Sequence, residues 1–536
     1  MNPSLARQSL EACLRAGVRE FCVCPGARNA PWVALLARSR PAIQVWFHFD
    51  ERSAGFFALG RIKATGRPVA VVTTSGTAAG ELLPAAMEAY YSGLPLFLLT
   101  ADRPRRYRGS GAPQTAEQVG IYGVYAPVAL DRADLEQVDL GEAHPATPVH
   151  LNVCFEEPLY PAETEGALLI PPSPASSSEP MPASNLAQTF ADLCGSFFRG
   201  CARPIAIVGA LSRRERPAVA VFLLRHGIPA YFEALSGLRE DPALGEIRIH
   251  NADRLLVRAG VAGYPVDGVL RIGSIPTHRI WRDLEDSTLP ILNLGPLPFS
   301  GLGRATRSCS GNIPEMLGNP IPGPSPHPSS SGARTWLDQD RARAHAVMEL
   351  LREEPASEPG LIHALSRLIP SGAQVYLGNS LPIREWDLAA DLQSRGFECH
   401  ASRGLNGIDG QVSTFLGLCQ PGQTHWAILG DLTALYDLQG PWITHQLPPA
   451  HFGLAIINNG GGKIFERMFP MPEFQNRHSI EFEAWARLWG WRHERWEAGS
   501  TVPIRIESDV STTPRMLECV PDELATVRFW KRYAEL

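Results

Sequence analysis

Two stretches rich in proline and serine set the frame for this chain. Residues 171–184 read PPSPASSSEPMPAS, and residues 319–334 read NPIPGPSPHPSSSGAR. Both carry few apolar side chains, as extended, solvated connectors do. A chain of 536 residues is too long for a single core. The two stretches divide it into units of 1–170, 185–318 and 335–536. No repeat in the range of about 20–50 residues is visible, which argues against a stacked-repeat architecture.

Within each unit, short apolar runs alternate with helical patterns. Phe21–Cys24, Val69–Val72 and Leu96–Leu99 read as buried strands in the first unit. Pro204–Val208 and Gly268–Ile272 do so in the second, and Gln374–Leu377, Trp426–Leu429 and Gly453–Ile457 in the third. Strand, loop, helix and strand in succession predict an α/β protein of three domains, each with a mainly parallel sheet flanked by helices. In such sheets ligands gather at the carboxyl ends of the strands.

Charge and cysteine usage narrow the function classes. A net charge of −6 leaves no basic footprint for nucleic acid. Cys22 and Cys24 flank Val23 inside an apolar run and read as small core residues, and no CxxC spacing occurs. A reducing, cytoplasmic setting fits this usage. The first 17 residues, MNPSLARQSLEACLRAG, form an amphipathic helix pattern and do not read as a signal peptide. No run approaches the ~18 consecutive apolar residues of a membrane span.

The chemistry concentrates where two strands of the third unit end. The run before Asp431 is apolar and short, and the strand that closes at Ile457 is followed by Asn458-Asn459-Gly460-Gly461-Gly462. Taken singly, Asp431 reads as a helix cap and Asn-Asn-Gly as a turn. After consecutive parallel strands joined by a helical crossover, they come to one sheet edge. A carboxylate, an amide oxygen and a carbonyl from a glycine-rich turn are hard donors that suit Mg²⁺ or Ca²⁺ rather than zinc. A nucleotide P-loop is a poor rival, because Gly462-Lys463 would need glycine where Ile457 stands and Ser or Thr where Ile464 stands.

Gly430-Asp431, with Asn459 following 28 positions later, resembles the diphosphate-binding motif of thiamine-diphosphate enzymes, although Leu432 stands where that family commonly has a second glycine. Longer blocks narrow the resemblance to the 2-succinyl-5-enolpyruvyl-6-hydroxy-3-cyclohexene-1-carboxylate synthases of menaquinone biosynthesis. These are Cys24–Arg28, His48–Phe57, Thr74–Ala79, Thr100–Pro104, Gln114-Thr115 and His150–Asn152 in the first unit. Asn379-Ser380 with Arg384, Ser402–Gly410, Gly430–Leu438 and Asn459–Phe465 continue it in the third. The middle unit matches mainly through Leu270–Arg279.

The resemblance implies a pyrimidine-binding domain at 1–170, a central domain at 185–318 and a diphosphate-binding domain at 335–536. It implies thiamine diphosphate with Mg²⁺, or Mn²⁺ in its place, and the substrates 2-oxoglutarate and isochorismate. Asp431, Asn459 and the Gly461 carbonyl match the metal ligands. Glu51 matches the catalytic carboxyl group that touches the cofactor's pyrimidine ring, and a dry pocket would raise its pKa. Ser380, Ile408, Ile464 and Phe465 fall at cofactor positions. Arg28, Arg103, Arg279, Arg384 and Arg403, with Gln114 and Ser380, match positions that bind the substrates' carboxylates, for which arginine is the suited partner. Arg105, Arg106 and Arg108 lack such a context and read as surface. Three neighbours depart from the family pattern: Ala27 stands in place of Ser, Pro113 in place of Asn, and His278 in place of Lys. The site of this family lies between two subunits, which implies a homodimer or homotetramer. Two rival readings are a different thiamine-diphosphate enzyme, such as a 2-oxo acid decarboxylase or acetolactate-type synthase, and a cofactor-binding regulatory protein without catalysis.

Overall fold

A computed structural model describes residues 2–133, 140, 146–159, 166–171, 184–318, 331–466, 468, 469, 471–497, 499, 500 and 513–536. Most of both connectors, 172–183 and 319–330, lies outside the described residues.

Three six-stranded sheets follow one another along the chain, and every strand pair in them is parallel. The first holds β1 (Glu20–Val23), β2 (Gln44–Phe47), β3 (Val69–Thr73), β4 (Leu96–Asp102), β5 (Val128–Ala133) and β6 (Val149–Cys154), in the order β2-β1-β3-β4-β6-β5. The second holds β7 (Pro204–Val208), β8 (Ala230–Phe232), β9 (Arg248–Ile249), β10 (Gly268–Ile272), β11 (Ile291–Gly295) and β12 (Arg307–Ser310), in the order β12-β11-β10-β7-β8-β9. The third holds β13 (Gln374–Leu377), β14 (Glu398–His400), β15 (Thr424–Gly430), β16 (His451–Ile457), β17 (Arg492–Glu497) and β18 (Arg515–Val520), in the order β14-β13-β15-β16-β18-β17. The first and third sheets therefore share one winding, and the middle sheet has another. Strands β3, β4 and β6 are buried along their whole length, as continuous apolar runs covered by helices on both faces should be.

The helices that follow the second strand of each like-wound sheet, Glu51–Thr65 and Gln411–Leu418, pack on each other. The first is started by Asp50, whose carboxylate accepts the Ser53 N–H at 2.6 Å, and stopped by Gly66 in the left-handed region. At their crossing a Cβ on Gly60 would stand 2.1 Å from the Thr414 carbonyl oxygen, and one on Gly417 would stand 2.3 Å from that of Phe57. Backbone meets backbone there. One apolar cluster, including Phe57, Leu82, Phe415 and Leu454, continues through the junction from the first sheet to the third.

The helix Ser331–Glu353 begins inside the stretch 319–334 that composition assigns to a connector. Its early residues Trp336 and Leu337 belong to the core of the middle sheet, with Trp336 stacked on Tyr264 at 5.5 Å. Its later residues Val347, Leu350 and Leu351 belong to the core of the third. Residues 331–334 are therefore a helical start, because the apolar stripe that follows finds a face to cover. The expected crossover between Asp431 and β16 is also shorter than a full helix: a helix over Asp431–Tyr436 and a 3-10 segment over Gly440–Gln446. Among the described residues no helix is long and apolar enough to cross a membrane. None of the ten cysteines is disulfide-bonded.

Candidate functional site

Strands β15 and β16 pair with Gly430 opposite Ile457, so both end at the same edge. Asp431 begins the helix beyond β15 and is buried. One carboxylate oxygen accepts the Leu432 N–H at 2.6 Å; the other accepts the N–H groups of Gly460 and Gly461, each at 2.9 Å. His478 Nε2 stands 3.4 Å from that second oxygen. The loop after β16 needs glycine to do this: Gly461 has φ +140°, and a Cβ on it would lie 2.5 Å from the Gln475 carbonyl oxygen. The Gly461 carbonyl accepts the Lys463 N–H at 2.9 Å and keeps one lone pair for another partner.

Asn459 turns its amide so that Nδ2 donates to both oxygens of Glu358, each at 3.0 Å. Its Oδ1 is buried and has no partner among the described residues. A buried acceptor without a donor is costly, and a cation would satisfy it. Asp431, Asn459 Oδ1 and the Gly461 carbonyl are all hard oxygen donors, so this edge fits a small divalent ion carrying a diphosphate. Burial raises the pKa of Asp431, and its backbone N–H donors and His478 oppose that rise.

These groups open on a cavity of about 400 Å³, which Ser380, Arg384, Arg403, Ile408, Ile464 and Phe465 also line. A larger cavity of about 600 Å³ shares Arg384, Arg403, Asn459 and Ile464 with it and reaches His278 and Arg279, which follow β10 of the middle sheet. Ser380 ends the turn after β13 with φ +72°, an unfavourable conformation for a residue with a side chain. Its carbonyl accepts from Arg384 Nη1. Arg403 is held by the Asn379 side chain, which accepts from its Nη1 at 2.9 Å. Burial lowers the pKa of both Arg384 and Arg403, and Glu233 at the end of β8 pulls each back up. Arg279 is exposed and paired with Asp283 at 3.1 Å.

The other expected residues sit at the carboxyl edge of the first sheet. Glu51 is the first residue of its helix and half-buried. Burial raises its pKa, with Asp50 and Glu81 adding to the rise. Arg28 is buried, donates to the Phe155 carbonyl at 3.0 Å and lies 3.3 Å from Glu157. Arg103 donates its Nε–H to the Pro113 carbonyl at 2.8 Å. Gln114 is exposed with φ +57°. None of these four lines either cavity. Within one chain the expected residues thus form two groups, one at the edge of the first sheet and the other around the two cavities at the third, where Arg279 joins from the middle unit.

Residues that sequence patterns do not single out also converge here. Glu358, nearly fully buried, reaches Asn459 from the helix Glu358–Leu368. Glu233 is buried, and its pKa is pushed up to about 7 by burial. One of its oxygens accepts the N–H groups of Thr277 and His278, at 2.5 and 3.0 Å. Lys463 donates to Glu523 at 2.6 Å and Glu466 at 3.1 Å beside both cavities. Arg108, read from sequence as surface, is half-buried: it donates to Asp131 at 2.7 Å and to the fully buried Asp102 at 2.9 Å. The spacing of Asp102, Asp131 and Cys154 would admit a metal, but Arg105 and Arg108 occupy these carboxylates.

Residues 4–121 match the family described as thiamine pyrophosphate enzyme, N-terminal TPP binding domain. A 2-succinyl-5-enolpyruvyl-6-hydroxy-3-cyclohexene-1-carboxylate synthase from Bdellovibrio bacteriovorus is 42% identical over 535 residues, covering 99% of this chain and 98% of its own. The protein of the same name from Akkermansia muciniphila is 36% identical over 549 residues, covering 99% and 98%. A solved structure from Mycobacterium smegmatis, described as a thiamin diphosphate-dependent enzyme, superposes with a TM-score of 0.67 at 16% identity, covering 97% of this chain and 99% of that one, and shares the fold. The chain belongs to the 2-succinyl-5-enolpyruvyl-6-hydroxy-3-cyclohexene-1-carboxylate synthase family of thiamine-diphosphate enzymes.

Proposed function

We propose that this enzyme decarboxylates 2-oxoglutarate and adds the resulting succinyl unit to isochorismate, giving 2-succinyl-5-enolpyruvyl-6-hydroxy-3-cyclohexene-1-carboxylate. It works in the cytoplasm, with thiamine diphosphate and Mg²⁺ or Mn²⁺. The observation that carries this reading is the buried Asn459 Oδ1, without a partner among the described residues, which shares with Asp431 a cavity walled by Arg384 and Arg403. The name carried by the relatives supports the substrate pair.

Thiamine diphosphate, when bound, supplies the electron sink that loss of CO₂ from a 2-oxo acid requires. Asp431, Asn459 and the Gly461 carbonyl hold the divalent ion. Glu51 offers a proton at its carboxyl oxygen to the pyrimidine ring, and its raised pKa favours keeping that proton. Arg384 and Arg403 bind carboxylates of the two dicarboxylic substrates, with Arg28, Arg103, Arg279, Gln114 and Ser380 completing the set. Ile408, Ile464 and Phe465 form an apolar wall that keeps water from the reacting carbon. Residues 1–170 serve as the pyrimidine-binding domain, 335–536 as the diphosphate-binding domain and 185–318 as the central domain. Because Glu51, Arg28, Arg103 and Gln114 line neither of the two cavities at the Asp431 edge, the complete site takes Glu51 from a second copy, in a homodimer or homotetramer.

The test is incubation with 2-oxoglutarate, isochorismate, thiamine diphosphate and Mg²⁺, with each omitted in turn and product mass followed. Product that requires all four is expected. Full turnover without isochorismate would identify another 2-oxo acid decarboxylase, and absence of any cofactor-dependent turnover would identify a protein that binds without catalysing.

A further inference from the structure

The amide of Asn459 has two ends of nearly equal size. One offers two donors, the other an acceptor, and only the partners around them decide which end faces the cavity. In this chain the deciding partner lies 101 positions away. Glu358 is the first residue of a helix that is capped by Ser357, whose Oγ accepts the Gly360 N–H at 3.1 Å. The Glu358 N–H is held by Thr526 Oγ1 at 3.0 Å, which fixes the start of that helix. Its side chain is nearly fully buried, and both of its oxygens accept from Asn459 Nδ2. With Glu358 ionised, the form that burial and Asp431 oppose and that Asn459, Lys463 and the Glu385 side chain favour, reversing the amide would press Oδ1 against two carboxylate oxygens and turn the NH₂ group toward the place a cation would take.

We infer that Glu358 is a positioning residue for the metal: it selects the Asn459 rotamer whose amide oxygen is left without a partner among the described residues, and so makes that oxygen available as a ligand. The inference rests on the reading of Asp431 and Asn459 as metal ligands and adds to it the group that orients one of them. Partners of metal-binding side chains commonly change metal affinity ~10–100-fold when altered. Glutamine at this position would keep the shape but offer one acceptor and one donor, so both orientations of Asn459 would be satisfied and the selection lost.

The experiment measures Mn²⁺ binding to the full-length protein in the presence of thiamine diphosphate by electron paramagnetic resonance, alongside thermal unfolding without metal. Glu358→Gln should weaken Mn²⁺ binding by ~10–100-fold with little change in the metal-free unfolding temperature. The double variant Glu358→Gln with Asn459→Asp should recover most of the binding, because the glutamine NH₂ can donate to the new carboxylate while an oxygen still faces the ion. A merely structural role for Glu358 predicts no such recovery. Should the single variant fail to fold, the double variant alone decides: Mn²⁺ affinity near that of the natural protein supports the inference, and lost affinity overturns it. Unchanged affinity in Glu358→Gln, with affinity lost in Asp431→Ala, would overturn the role of Glu358 alone. Unchanged affinity in Asp431→Ala would overturn the metal site itself.

Discussion

At the scale of single residues, two groups should separate binding from chemistry. Glu51→Gln keeps size and hydrogen bonding but removes the acid. It should retain the fold and thiamine diphosphate binding while losing about 100-fold or more in turnover, the usual range for a general acid or base. Calorimetric cofactor titration beside steady-state kinetics checks this, and near-full turnover would remove Glu51 from the mechanism. Arg403→Ala should instead raise the KM for a carboxylate substrate by roughly 10- to 100-fold, the loss expected of a charged hydrogen bond. The concentration of thiamine diphosphate needed for half-maximal activity should move much less, and the reverse pattern would show that the residue serves the cofactor. Legibility at this scale was uneven. Asp431 and Asn459 stand at the ends of successive apolar strands, so their convergence follows from parallel pairing alone. Glu358 follows a serine at a helix start and reads as a cap-adjacent acid; nothing local reveals that it meets Asn459. Arg108 looked like one of several surface cations because its partner Asp131 belongs to a strand that the sequence pattern does not mark.

At the scale of elements, the junction of Glu51–Thr65 with Gln411–Leu418 is the most exacting contact between the first and third sheets. Gly60→Val should destabilise the protein by about 3 kcal/mol or more, since the added atoms meet backbone that cannot repack. Urea unfolding measures it, and a loss well under 1 kcal/mol would mean that the helices part easily. The same junction carries Asp437, which is fully buried and accepts from the Ser413 N–H at 2.7 Å, Ser413 Oγ at 3.0 Å and Ser53 Oγ at 3.3 Å. Burial pushes its pKa up to about 6 from 3.8. As pH rises, the unfolded chain loses this proton first, so the folded state binds more protons between these values and stability falls with pH across that window. Asp437→Asn should flatten that part of the curve, read as the difference from the natural protein in unfolding midpoints from pH 4 to 7; parallel curves would contradict the shift. Continuous apolar strands such as β3 and β4 were plain in the sequence because both faces are covered. The outer strands β12, β14 and β17 read RSCS, ECH and RHERWE, and their polar alternation left no such mark.

At the scale of the whole molecule, the proposed sharing of the site between two chains can be tested directly. A mixture of Glu51→Gln and Asp431→Ala subunits, each nearly inactive alone, should form hybrids with one intact site. If the subunits pair at random as dimers, about a quarter of the activity of the natural protein should return. Co-expression with two affinity tags, isolation of the hybrid and assay of turnover test this, and a hybrid as inactive as its parents would place the whole site within one chain. The division into three sheets could be read from the two connectors, whereas the helix Ser331–Glu353 that fastens the second sheet to the third could not. Its stripe serves two cores in succession, and local pattern cannot say which partner each turn will find.

The seam at Gly60 and Gly417 bears on how this protein can change over generations. Where two bulky side chains touch, growth on one side can be answered by shrinkage on the other, and such pairs drift together. Here neither partner has anything left to give up. A substitution on either helix must therefore be answered somewhere else, by tilting a whole helix along with the sheet edge it serves, and the alignment of Glu51's helix on its counterpart should be among the slowest features of the molecule to diverge.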